Sequence, residues 1–237
     1  MYIDFHTHGK LAKKLPFSTE YTDWLFDQAR RAGLDALCLT EHFNTLQFEE
    51  IYRYLEQTGE KEGDTLVLAN GLRIFPGMET DIAEGGHILS VGSMGEILEL
   101  NRRLEPYKER GSFLPFRELM KLFSEYHVIV GGAHPFREGG HIPELPPEDL
   151  ASLQFLDLNG KDVALNREET EEKTYALAEQ LRLPVVGGSD THQAIQYGCI
   201  RTWMEKEVSE ISDLWKEMQE KKHKIEIADH ARDQVQN

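Results

Sequence analysis

The sequence predicts an α/β fold built on a parallel sheet or a barrel. Apolar strand-like runs alternate with helical patterns in units of about 30 residues, the signature of a parallel sheet or barrel. Histidines and carboxylates gather where those runs end, although they lie far apart along the chain. Size and composition agree: 237 residues, 40% hydrophobic and 29% charged, can bury one sizeable core.

The elements follow in order. "YIDF" at 2–5 reads as the first strand, and Ser18 caps a helix running to about Arg31, with Gly33 as its stop. "ALCLT" at 36–40 is followed by a helical pattern over 46–57 that ends at Gly59. "RIFPGME" at 73–79 and "HILSVG" at 87–92 flank Gly85 and Gly86, which turn a hairpin and make the second strand antiparallel. Pro115 opens the next helix, before "VIVGGA" at 128–133. "HIPELPPED" at 141–149 is a loop leading into a short helix, ahead of "FLDLN" at 155–159. An acidic helix over 167–182, "PVVGGS" at 184–189, "CIRTWM" at 199–204 and a helix over 208–222 complete the pattern. Residues 1–237 read as a single domain whose last ~30 residues form a C-terminal helix and tail.

A net charge of −16 repels nucleic acid and anionic lipid, so long nucleic acid and membrane are not expected partners. No apolar run approaches the ~20 residues that span a bilayer. The N-terminus carries no signal-type segment, and a cytoplasmic location is expected. Cys38 and Cys199 both fall in apolar runs and read as buried thiols, not a disulfide framework.

His6 and His8 end the first strand, Glu41 and His42 the second, and Glu79 the third. His87 begins the antiparallel strand; His134 ends the next, and Asp190 and His192 follow the run at 184–189. Parallel barrels place active sites at the carboxyl ends of their strands, so these groups can converge. The i, i+2 spacing puts His6 and His8 on one face, and Asp190 and His192 too if the chain stays extended there. One strand-end histidine is an ordinary hydrogen-bonded residue. Six of the ten, joined by carboxylates, point to a metal centre. Imidazole with carboxylate and no thiolate suits Zn, Mn or Fe.

The ordered set "DFHTH", "TEH", "GME", "GGHIL", "AHP" and "GSDTH" resembles the polymerase and histidinol phosphatase (PHP) family, from Tyr2 to about His192. The resemblance implies a distorted, PHP-type (β/α)7 barrel that holds two or three divalent metals and hydrolyses phosphoesters. It implies one metal on His6, His8, Glu79 and Asp190, with Glu79 bridging to a second on His87 and His134. A third would use His42 and His192. Many members complete that site with an Asp or His five or six residues after the second histidine of the opening motif. Here the slot holds Lys13 or Lys14, a departure that sets the third metal apart. The amidohydrolase superfamily also opens a barrel with His-x-His, but typically has a carbamylated lysine ending strand four and an aspartate ending the last strand; this chain instead has Glu79 where PHP members have their bridging carboxylate, and Asp190 two before His192.

The implied chemistry is in-line attack by a hydroxide held between two metals ~3.5–4 Å apart, with Glu79, Asp190 and His192 in catalytic positions. His192 is also placed to protonate the leaving group. Arg137, three residues beyond His134, can pair bidentately with a phosphate or be a plain surface arginine. Lys13 or Lys14 can supply positive charge in place of a third metal, or belong to a solvated basic loop. Asp4 can orient His6 or cap backbone, Glu41 can support the metal ligands from behind, and Asn159 and Lys161 can face the same mouth or serve a turn. The leading function is a phosphatase acting on a small phosphorylated metabolite. A nuclease or nucleotide phosphodiesterase comes second, and a non-catalytic metal-binding module third.

Overall fold

The computed structural model describes residues 1–236. Strand β1 (Tyr2–Thr7) leads into helix α1 (Thr19–Arg31), and β2 (Ala36–Leu39) into α2 (Phe48–Thr58). A small ladder, β3 (Glu60–Glu62) with β4 (Thr65–Val67), precedes the long β5 (Arg73–Asp81) and β6 (His87–Gly92). Helices α3 (Met94–Arg103) and α4 (Phe116–Phe123) come before β7 (Val128–Ala133). Next are α5 (Pro147–Leu150), β8 (Phe155–Asn159), α6 (Gly160–Leu165), α7 (Arg167–Leu181) and β9 (Val185–Gly188). The chain ends with β10 (Ile200–Met204), α8 (Ile211–Gln219), β11 (His223–Ile227) and α9 (Ala231–Gln236).

Seven strands run side by side in the order β1-β2-β5-β6-β7-β8-β9, and β10 and β11 extend the sheet beyond β1. The pairs β1–β2, β2–β5, β7–β8 and β8–β9 are parallel, whereas β6 is antiparallel to both neighbours. The end of β9 returns to the end of β1: Asp190 N donates to His6 O at 2.7 Å and His8 N to Thr191 O at 3.0 Å. That seam nearly closes a distorted seven-stranded barrel, the architecture expected from the resemblance.

Local chemistry sets the element ends. Ser18 Oγ accepts from Tyr21 N at 3.2 Å, satisfying one of the orphan donors that open α1. Gly85 and Gly86 take φ of +94° and +117°, which only glycine adopts without strain, so the β5–β6 hairpin turns there. Ile3, Phe5, Phe75 and Phe155 from the strands pack in one apolar cluster with Ile211, Leu214 and Met218 of α8. Phe75 and Glu79 share a face of β5, as Phe155 and Asp157 do on β8. Apolar residues thus come first along these strands and polar ones at their ends. Cys38 and Cys199 are buried, free thiols.

The C-terminal expectation needs correction. In place of a helix and tail, α8 spans only Ile211–Gln219 and β11 pairs antiparallel with β10 from Ile200↔Ile227 to Met204↔His223. "HKIEI" alternates half-buried Ile225 and Ile227 with exposed Lys224 and Glu226, a period of two that suits an edge strand.

Gly188 permits the seam. A Cβ there would stand 2.6 Å from Asp157 Oδ1 and 2.9 Å from His6 N, both parts of rigid strands. Gly188→Ala is expected to lower unfolding free energy by about 1–3 kcal/mol, the scale of overpacking in a close-packed interior. Urea denaturation measures it, and an unchanged midpoint would show that β9 has room to move.

Candidate metal centre

The strand ends deliver the polar residues to one point. Glu79, 1% exposed, lies at its middle. Its Oε1 is 3.4 Å from His6 Nε2, 2.7 Å from His87 Nδ1 and 3.1 Å from His134 Nε2. Its Oε2 is 3.5 Å from His8 Nε2 and 2.8 Å from His42 Nδ1. Asp190 Oδ1 lies 3.1 Å from His8 Nε2 and 3.7 Å from His6 Nε2. His192 stacks on His8 with ring centroids 4.2 Å apart. Every residue expected to hold metal is therefore in one cluster.

Two of them are held in unusual backbone. His134 has φ of +30° and Asp190 of +56°, conformations that cost a non-glycine residue about 1–3 kcal/mol. The chain consequently turns at Asp190 instead of staying extended to His192, correcting the simple i, i+2 expectation. Ser189 N donates to Asp4 Oδ1 at 2.9 Å and His6 N to the same oxygen at 3.2 Å. Asp4 thus caps backbone at the seam and does not orient the His6 ring.

That orientation comes from Asp157, which sequence reasoning missed. His6 Nδ1 faces Asp157 Oδ2 at 2.9 Å, turning Nε2 toward Glu79. Asp157 interrupts the apolar run "FLDLN" at a fully buried position, and that was the available signal. Two further carboxylates repeat the arrangement. Glu41 Oε1 is 3.5 Å from His8 Nδ1, and Asp81 Oδ1 is 3.1 Å from His87 Nε2. Strand β2 ends at Leu39, so Glu41 and His42 both reach the centre from the loop beyond it. His192 Nδ1 lies 3.1 Å from the Asp190 carbonyl oxygen, to which it can donate, leaving Nε2 with its lone pair.

A divalent cation fits these donors. His6 Nε2, His42 Nδ1 and Glu79 Oε2 are buried and make no hydrogen bond, although His42 Nδ1 and Glu79 Oε2 approach each other closely. Lone pairs turned toward one another without a shared proton are the natural geometry of ligands around a cation. Groups able to hold an ion are His6–His8–Glu79, His6–His134–Asp190, Glu79–His87–His134 and His8–His42–His192. Their chemistry, imidazole and carboxylate, suits Zn, Mn or Fe.

The electrostatics show the same demand for positive charge. Burial pushes the Glu79 carboxyl up, but His87, His42 and His6 outweigh it and hold the group well below the carboxylate range. Asp190 is likewise lowered by His6 and His8 against its burial, and Glu41 is brought to about 2 by His8 and His42. Burial opposes charge on His87, yet Glu79 and Asp81 raise it to about 9. His6 is raised well above its usual value by Glu79 and Asp190. Burial, then the charge of His8, lowers His192 to about 3, so its imidazole is in the neutral form a ligand needs.

The cations around the centre are already engaged. Arg137 directs Nε to Asp162 at 2.9 Å, one terminal nitrogen to Asp190 at 2.8 Å and the other to Asn159 at 2.7 Å. Lys161 Nζ is 3.1 Å from Asp190 Oδ2 and 3.5 Å from His192 Nδ1. Lys13 Nζ is 3.5 Å from Asp81 Oδ2, and its charge reaches His42. Lys14 is exposed. Lys10, which carried no expectation, is buried and donates to Lys13 O, Thr45 Oγ1 and Leu46 O at 3.3, 3.1 and 2.6 Å, tying the loops after β1 and β2 together. A cavity of about 670 Å³ opens beside His87, Lys13 and Arg110. Another of about 530 Å³ opens beside Arg137 and Lys161.

The chain matches the PHP domain over residues 4–230. No curated protein is significantly similar to it in sequence. PsfC from Pseudomonas syringae shares its fold at a TM-score of 0.81 and 24% identity, over 99% of this chain and 94% of that one. A lesion-specific endonuclease, endonuclease Q from Pyrococcus furiosus, gives 0.68 and 16% over 95% of this chain. This chain spans only 58% of that enzyme. A two-domain protein from Bacteroides vulgatus, described as containing a predicted PHP-like metal-dependent phosphoesterase, gives 0.61 and 16% over 95% of this chain and 64% of that one.

Asp157→Asn is expected to weaken metal binding about 10- to 100-fold while the protein stays folded, the usual effect of losing the group that aligns a ligand imidazole. Competition with a chelating dye measures it. Unchanged affinity would mean that strand geometry alone aligns His6.

Proposed function

Because the chain belongs to the PHP domain family, we propose that it is a metal-dependent phosphoesterase, and within that class a phosphatase of a small phosphorylated metabolite. The observation that carries the first part is that buried Glu79 meets five imidazoles, His6, His87 and His134 at Oε1 and His8 and His42 at Oε2. On this reading Glu79 would be shared by two ions, His42 and His192 would hold a third, and the cofactors would be two to three ions of Zn, Mn or Fe. Such ions activate water and offset charge on the phosphoryl group when bound.

The chain's own part is positioning and charge. Asp157, Glu41 and Asp81 align His6, His8 and His87. Lys161, Arg137 and Lys13 bring positive charge to the mouth of an acidic protein and draw in an anionic substrate. His192, neutral and with the Nε2 lone pair free, suits a ligand at the third position and not a donor of a proton to the leaving oxygen.

Net charge −16 supports a small substrate over long nucleic acid. The fold shared with endonuclease Q supports the second reading, a nuclease or nucleotide phosphodiesterase.

Elemental analysis of protein expressed with added Mn or Zn is expected to find about two or more ions per chain, as a dinuclear hydrolase requires. Glu79→Gln should lower both occupancies together; loss of one ion alone would rule out the bridge. Phosphate release from small monoesters should stop on chelation and return with Mn or Zn. Preference for oligonucleotides over monoesters would transfer the assignment to the nuclease reading.

A further inference from the structure

The cavity beside Arg137 and Lys161 differs in character from the rest of the mouth. Phe136 and Leu165 face it, and both are exposed, Phe136 at 36% and Leu165 at 66%. A lone exposed leucine needs no explanation, but two large apolar side chains sharing one cavity in an acidic protein form a patch. Their positions follow from the fold. Phe136 stands two residues beyond His134, and Leu165 lies one helical turn after Lys161 on α6. The same cavity is lined by Arg137 and Lys161, whose charged ends are 2.8 and 3.1 Å from Asp190 Oδ2. The apolar patch is therefore continuous with the metal centre through two cations.

The opposite cavity has another chemistry. It is lined by Lys13, Asp81, Glu84 and Arg110, with His87 at its inner edge. Asp81 and Glu84 stand there with Lys13 and Arg110, as Glu138, Asp162 and Glu169 stand with Arg137, Lys161 and Lys173 in the first cavity, so what sets the first apart is its two exposed apolar side chains.

From this asymmetry we propose that the organic part of the phosphoester lies in the Phe136–Leu165 cavity, and that it carries an aryl or branched alkyl group. The inference rests on the phosphoesterase reading. The phosphoryl end lies toward Asp190 and the ligand imidazoles, with Lys161 and Arg137 at the junction. The leaving group extends over Phe136 and Leu165, covering their apolar surface. Phe136 and Leu165 then set specificity and do not take part in bond breaking.

Calorimetry on the metal-loaded protein tests this with phosphonates, which bind but are not hydrolysed. Phenylphosphonate should bind at least about tenfold tighter than methylphosphonate, the lower end of discrimination by an apolar pocket. Leu165→Ser and Phe136→Ala, both at exposed positions, should remove that difference while inorganic phosphate binds as before. Metal content should be unchanged. Equal binding of the two phosphonates to the wild type would overturn the proposal and leave the phosphoesterase reading standing. So would retention of the difference in both variants, or its loss in Arg110→Ala instead, which would place the organic part in the other cavity. Failure of inorganic phosphate and both phosphonates to bind would overturn the proposal and that reading together.

Discussion

The buried carboxylate of Glu79 is the constraint around which the rest of the molecule is arranged. An ionised carboxylate removed from water costs several kcal/mol unless charge and hydrogen bonds replace its hydration. Here five imidazoles stand within reach of its two oxygens, and they come from β1, β6 and the loops after β1, β2 and β7. A sheet that closes on itself is what brings those distant segments to one point. The seam where Asp190 and Thr191 meet His6 and His8 is thus part of the site as much as part of the fold. The near-contact of Gly188 with His6 and Asp157 belongs to the same requirement, since any side chain there would separate the two strands that carry ligands.

Glu79 sits in front of the imidazoles, and other carboxylates stand behind them. Asp157, Glu41 and Asp81 each face the far nitrogen of a histidine whose near nitrogen faces Glu79. An imidazole gripped this way has its tautomer and ring plane fixed before any ion arrives. The left-handed backbone at His134 and Asp190 has a related meaning. Both residues end or follow a strand and would point elsewhere if the chain continued extended. Strain at these two positions and buried charge at the centre are both unfavourable, and the apolar clusters around the strands offset them.

The strand ends were legible because they carry two independent signals, apolar runs and abrupt polar punctuation. His6, His8, His42, Glu79, His87, His134, Asp190 and His192 all fall at such places, and the barrel rule converts those places into one neighbourhood. Asp157 was not legible as a partner of His6. It is separated from that histidine by most of the chain, and only the β1–β9–β8 neighbourhood reveals the pair. Strand β11 was missed for another reason. Lys221 and Lys222 ahead of it extend the helical pattern of α8, and the short alternation in "HKIEI" is outweighed until β10 supplies hydrogen bonds to it.

Charge in a sequence says least about what a charged group does. The three lysines after His8 illustrate this. Lys10 is a buried tie between two loops, Lys13 pairs with Asp81, and Lys14 is exposed. Arg137 tells the same story, since its guanidinium already meets Asp162, Asp190 and Asn159. Pairing does not cancel its influence on an anion at the mouth. Asp190 also faces His6 and His8, so its negative charge is shared among several cationic partners. A carboxylate so heavily engaged neutralises only part of the charge on Arg137 and Lys161. Along the wall that leads to Phe136 and Leu165, Glu138, Asp162 and Glu169 accompany these cations. On the His87 side Asp81 has fewer cationic partners, Lys13 and His87, and Glu84 adds a second carboxylate. The two sides of the centre therefore differ in polarity, with the exposed Phe136 and Leu165 on the Arg137 side, and that difference gives the mouth a direction.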